Sequence, residues 1–204
     1  MTSPLVVGFD LDMTLYDTAP SIEATLRASA KELGIEFDVE RFMRELGPPL
    51  DDLVAEQLDP GPATDFIDKY REIYHVHGLP AARLMPGARD SLRAVRDHGG
   101  RSIVITGKND RDAGRHVAHD ELDVAKVIGW AWGPGKTKAL KDNGAGVYVG
   151  DHPADVAAAR AADAAAVAVT TGSHGPESFG DADAVLASLR EFPGWLERWR
   201  ADRG

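Results

Sequence analysis

Residues 5–9, Leu-Val-Val-Gly-Phe, are five apolar residues in a row, and Asp10 and Asp12 stand at the end of them. So short a run, rich in β-branched and large side chains, fits a strand buried on both faces of a parallel sheet. Such sheets bind ligands outside the C-terminal ends of their strands. Aspartate is a poor strand former. Two of them here, two positions apart, therefore point to the mouth of that crevice. A loop acid or a helix cap is the ordinary alternative for such a pair. What else the chain brings to the same edge decides between these readings.

Four more short apolar runs read as strands, at residues 101–106, 126–131, 146–150 and 165–170. Helical patterns fall between and after them. Ala88, Leu92 and Val95 recur at i, i+4 and i+7, Pro153 opens an alanine-rich run to Ala162, and Val185 to Trp199 reads as a closing helix. This alternation predicts an α/β fold, a Rossmann-like three-layer sandwich with a parallel sheet and right-handed crossovers. Residues 18–83 break the rhythm. They hold no strand-like run but several amphipathic ones, such as Ile22, Leu26 and Leu33, then Phe66, Tyr70, Ile73 and Tyr74. We expect a core domain from residues 1–16 and 84–204 and an inserted all-helical cap from residues 17–83, built of three or four helices. A chain of 204 residues is long enough for one core plus such an insertion.

The chain carries 33 acidic against 23 basic residues, a formal charge of −10. That balance disfavours nucleic acid or an anionic membrane as the main partner, and a small anionic substrate would need a local positive site. No apolar run reaches 18 residues and the N-terminus lacks a signal-like pattern, so the expectation is a cytoplasmic protein with no membrane association. With no cysteine, disulfides, thiolate catalysis and cysteine-ligated zinc are excluded.

Two further strand ends carry chemistry. Thr106-Gly107-Lys108-Asn109-Asp110 offers a hydroxyl and an unhindered amide before a helix that Asn109 can cap, a setting that suits phosphate, although Thr-Gly is also common turn chemistry. Gly150-Asp151-His152-Pro153-Ala154-Asp155 brings two more carboxylates to the same sheet edge. As an acid in the first turn of a helix, Asp155 also has the simpler reading of a dipole partner. Four converging acids repel one another unless a hard divalent ion sits among them, and Mg2+ takes one or two carboxylates together with substrate phosphate. Gly133-Pro134-Gly135-Lys136-Thr137-Lys138 supplies a cation to offset a bound phosphate, from Lys136 or Lys138. It is not a P-loop, because the first glycine of G-x-x-x-x-G-K-T would fall on Trp130.

In these motifs the chain resembles the haloacid dehalogenase superfamily, and is most similar to its phosphoglycolate-phosphatase-like branch with a helical cap of the C1 type. Asp10, Asp12 and Thr14 match D-x-D-x-T, Thr106 matches the strand-end Thr or Ser, and Gly150, Asp151 and Asp155 match G-D-x-x-x-D. Spacing to Leu140 and to Gly150-Asp151 favours Lys136 over Lys138 as the family's lysine. The Lys-Pro often seen in this branch is absent, and Met13 stands where the branch usually has glycine. The resemblance implies a Mg2+-dependent phosphatase acting on a small phosphorylated metabolite, as a monomer or homodimer. Asp10 would be the nucleophile and Asp12 the acid/base. Leu11, Thr106, Gly107 and Lys136 would bind phosphate, and Asp10, Asp151 and the main-chain carbonyl of Asp12 would hold the metal, with Asp155 behind it. Dehalogenases of the superfamily lack the second acid, so Asp12 speaks for phosphoryl transfer. Substrate choice would then lie in residues 17–83, with Gly47 to Leu50 as candidate contact loop.

Other polar and aromatic residues have plainer readings. His116 and His119, at i and i+3, read as solvent-exposed helix residues, as do His75 and His77 near the end of the insertion. His152 either lines the entrance or caps the helix opened by Pro153, and Trp130 and Trp132 read as packing residues on one side of a strand. A sugar-phosphate mutase, a phosphoacceptor signalling domain and a non-catalytic binding protein are the competing functions.

Overall fold

The computed structural model describes residues 4–203. In chain order the strands are β1 (Val6–Phe9), β2 (Tyr16–Asp17), β3 (Arg83–Leu84), β4 (Arg101–Ile105), β5 (Lys126–Ile128), β6 (Val147–Gly150), β7 (Ala165–Val169) and β8 (Ala184–Leu186). The helices are α1 (Ala19–Leu33), α2 (Val39–Arg44), α3 (Leu50–Ala55), α4 (Pro60–His77), α5 (Ala88–Asp97), α6 (Asp110–His119), α7 (Pro134–Asn143), α8 (Pro153–Ala161) and α9 (Phe192–Ala201). Two compact units result, one from residues 1–16 and 84–204 and the other from residues 17–83.

The first unit is a six-stranded sheet in the order β5-β4-β1-β6-β7-β8, parallel at every pairing. β1 lies inside it, between β4 and β6, and all four of its residues are buried. An apolar run without alternation is what two covered faces require. On one face Ile103, Ile105, Leu140, Tyr148 and Val156 pack with the alanines of α8 and β7. Phe9 meets the closing helix through an edge-to-face contact with Phe192, with centroids 5.4 Å apart. The strand order changes direction at β1, where β4 lies to one side and β6 to the other. That is the switch point where open parallel sheets place their ligands.

The second unit packs α1 to α4 around Leu26, Phe42, Val54, Phe66 and Tyr74. Arg27 links Glu23 of α1 to Glu40 of α2, and Arg41 of α2 pairs with Glu45 and Glu56. Gly47 to Leu50 forms the turn from α2 into α3, and Leu50 is already the first residue of α3. Among the described residues no helix is long and apolar enough to cross a membrane.

The structure corrects four readings. Residues 185–199 are not one helix: β8, a 3₁₀ turn at Leu189–Glu191 and α9 divide them. The Thr170 amide donates to the Leu186 carbonyl, which ties this three-residue edge strand to β7. Pro193, in the first turn of α9, fixes the later start of the helix. The strand at 126–131 ends at Ile128, and Trp130 adopts a left-handed backbone (φ 56°) and is 57 % exposed, so the two tryptophans do not share a strand face. His116 is fully buried rather than solvated, its ring 4.8 Å from that of Tyr16. Burial pushes its pKa down to about 4 and the Lys108 charge acts in the same direction, so this imidazole is neutral at pH 7.

Candidate active site

The site forms where β1, β4 and β6 end. Asp10 leaves β1 with its amide donating to the Val149 carbonyl of β6 at 2.8 Å, which fixes the first carboxylate against the strand that delivers Asp151. Asp10 Oδ1 accepts the Leu11 amide at 2.7 Å, and Oδ2 accepts Lys136 Nζ at 3.0 Å. Lys136 also donates to Asp155 Oδ1 at 2.6 Å. Asp151 accepts from Thr14 Oγ1 at 3.0 Å. Asp10, Asp151 and Asp155 are buried, and each offers an oxygen within 4.8 Å of the others. The carboxylate of Asp12 is not in this cluster; it faces Lys108.

Lys136 sits in the first turn of α7, where a cation opposes the helix dipole, and it is fully buried. Nothing in helix formation favours that placement. Burial works against its charge, but Asp10 and Asp155 more than offset this and hold it protonated, with its pKa well above the usual lysine value. The rings of Trp132 and Tyr148 lie 5.4 and 5.7 Å from Nζ. Lys138, two residues on and so on the opposite side of α7, is exposed and pairs with Asp142.

α8 contributes through its cap. His152 Nδ1 accepts the Ala154 amide at 3.0 Å and the Asp155 carboxylate accepts the His152 amide at 3.1 Å, a capping box that fixes Asp155. Gly150 is required by closeness: a methyl there would sit 2.6 Å from Asp155 Cβ and closer still to its carboxylate. We predict that Gly150→Ala displaces Asp155 and lowers stability by about 2 kcal/mol, measured as a fall in thermal midpoint. An unchanged midpoint would contradict this packing. Met13 takes a left-handed φ of 56°, the conformation that glycine adopts without strain, and its carbonyl accepts Thr171 Oγ1 at 2.5 Å.

Thr106 closes the edge. Its side chain is buried at the end of β4 and accepts the Lys108 amide at 3.2 Å, while Asn109 caps α6 by accepting the Asp112 amide at 2.9 Å. Residue typing alone did not pick out Lys108, whose Nζ lies 3.1 Å from Asp12 Oδ1. Its place two residues past the strand-end threonine does not by itself distinguish it from a solvated turn lysine.

Three buried carboxylates and one ammonium leave an excess of negative charge. Burial and the neighbouring acids push Asp10 up to about 6, even against Lys136, and burial with Asp10 and Asp155 pushes Asp151 well above the ordinary range. This cluster of hard oxygen donors with unbalanced charge fits a divalent cation. Both pKa values are raised in the folded state, so the metal-free protein binds more protons than the unfolded chain. The contribution of Asp10 to stability is therefore lost as pH rises from about 4 through about 6. A cation must displace those protons. We predict that the gain in thermal midpoint on adding magnesium is larger at pH 7.5 than at pH 5; an equal or larger gain at pH 5 would contradict the cluster's role.

A family model described as haloacid dehalogenase-like hydrolase matches residues 5–163, and a second, HAD-hydrolase-like, matches residues 138–192. A phosphoglycolate phosphatase from Chromobacterium violaceum is 30% identical over 91% of this chain and 93% of its own. One from Pseudomonas putida is 28% identical over 85% of this chain and 72% of its own. Among solved structures, a haloacid dehalogenase-like hydrolase from Streptococcus pneumoniae superposes with a TM-score of 0.81 at 23% identity, over 96% of this chain and all of that one. At that identity the likeness concerns the fold.

Proposed function

The chain belongs to the haloacid dehalogenase-like hydrolases, and on that premise we propose that it is a Mg2+-dependent phosphatase that cleaves small phosphomonoesters through an aspartyl-phosphate on Asp10. The observation that carries this reading is the meeting of Asp10, Lys136 and Asp155 at the end of β1, with Asp151 beside them and a second acid, Asp12, two residues on.

In the first step Asp10 bonds to phosphorus as the ester oxygen departs with a proton from Asp12. In the second, water bonds to phosphorus, its proton returns to Asp12, and the Asp10 carboxylate is released. Lys136 holds positive charge against the non-bridging oxygens and orients Asp10 through the contact at 3.0 Å. Thr106 and the amides of Leu11 and Gly107 are the further donors proposed for the phosphoryl oxygens. Asp10 and Asp151, with the Asp12 carbonyl, would hold Mg2+, and Asp155 would fix Lys136 beside it. When bound there, the metal would neutralise charge on the nucleophile and the phosphoryl group.

The names of the two relatives put phosphoglycolate first in the substrate panel, with sugar phosphates next. The test is phosphate release from such a panel with and without Mg2+. Metal-dependent release from at least one ester is expected. Isomer formation without release, or no turnover of any ester, would overturn the reading.

A further inference from the structure

Resting on the phosphatase reading, we propose that Lys108 is a positioning residue that clamps Asp12 Oδ1 and thereby presents Oδ2 to the leaving group and to water. Asp12 Oδ1 is buried and has no hydrogen-bond partner among the described residues, and Lys108 Nζ lies 3.1 Å from it as an ion pair. The Lys108 side chain is 8 % exposed, against 26 % for Asp12. A carboxylate oxygen shut off from water without compensation is costly, so the ammonium fixes which oxygen faces inward. The proton chemistry then falls to the other.

The surrounding chain is arranged to hold that ammonium in place. The Lys108 amide donates to Thr106 Oγ1 at 3.2 Å, and the Lys108 carbonyl accepts the Trp130 amide at 2.9 Å. The Gly129 amide donates to Asp110 Oδ1 at 2.7 Å. A methyl on Gly129 would lie 2.6 Å from the Lys108 carbonyl oxygen and closer still to the Asp110 amide. The left-handed backbone of Trp130 (φ 56°) lets the loop after β5 lie against the loop after β4. The contacts from Gly129 and Trp130 involve none of the groups proposed to bind phosphate or metal, and they converge on the residue that pairs with the acid/base.

The role predicts a dependence on the leaving group. The P–O bond to the leaving oxygen breaks as the Asp10–phosphorus bond forms, and the proton from Asp12 Oδ2 ends on that oxygen. A leaving group that departs as a stable anion does not need the proton; phenolate, with a pKa near 10, does. The experiment compares kcat/KM for 4-nitrophenyl phosphate and phenyl phosphate, with Mg2+, in the wild-type protein, Lys108→Met and Lys108→Arg. Lys108→Met is expected to lose about 30–100-fold on phenyl phosphate and less than about 3-fold on 4-nitrophenyl phosphate, while Lys108→Arg retains most activity on both. Loss by the same factor on both esters, or no loss on phenyl phosphate, would overturn the positioning role and leave the phosphatase reading standing. A wild-type protein inactive on both esters and on every ester of the metabolite panel would overturn the phosphatase reading and this role with it.

Discussion

Asp10→Asn is expected to reduce phosphate release by at least about 10⁴-fold while the protein stays folded. The amide cannot form the acyl-phosphate, and no neighbouring group replaces it: Asp151 and Asp155 lie behind it around the cation site, and Asp12 faces Lys108. The substitution removes a charge that burial already disfavours, since Asp10 is pushed up to about 6. The asparagine oxygen can still accept the Leu11 amide that Asp10 accepts at 2.7 Å, whereas its NH2 would face the Lys136 ammonium. These opposed effects leave stability within about 1 kcal/mol, or a few degrees in thermal midpoint for a chain of this size. Turnover measured beside a melting curve separates lost chemistry from lost fold.

Lys136→Met is expected to cost both stability and activity. Methionine has a similar length and no charge, so the variant keeps the packing against Trp132 and Tyr148 but leaves Asp10 and Asp155 without their cation. Removing one partner of a buried ion pair typically costs about 3–5 kcal/mol, here a drop of roughly 10 °C in midpoint. The loss should be largest near pH 8 and shrink toward pH 5, because the abandoned carboxylates can then take up protons; Asp10, already raised, does so first. Mg2+ should recover part of the stability by supplying positive charge to the same oxygens. Activity should fall about 10²–10³-fold, the effect of losing one preorganised positive group at a developing charge. A variant as stable and active as the wild type would show that Lys136 is not held as described.

The parallel sheet was legible because its inner strands, β1, β6 and β7, are buried along their whole length and so carry unbroken apolar runs. β8 was not. It is an edge strand of three residues with only Leu186 buried, and Val185, Leu189 and Leu196 mimic helical spacing across it. The acids of the site could be located because their places at the ends of β1 and β6 follow from topology. His116 and Lys108 could not, for a shared reason. A histidine on a helix and a lysine in a turn read as solvated unless the partner is known, and here the partners, Tyr16 and Asp12, come from the distant start of the chain. Trp130 misled in the opposite direction, since an indole reads as core until its backbone turns it outward.

The covalent step is the central claim, and acid quenching tests it most directly. Asp12→Asn, which slows release of the acyl-phosphate, is mixed with Mg2+ and 4-nitrophenyl phosphate, whose leaving group departs without the Asp12 proton, then quenched in acid and digested. The account predicts close to one hydroxylamine-labile phosphoryl group per chain, on the peptide that carries Asp10. Turnover by the wild-type protein with no phosphoryl group on Asp10 at any quench time, joined by undiminished turnover in Asp10→Asn, would contradict it.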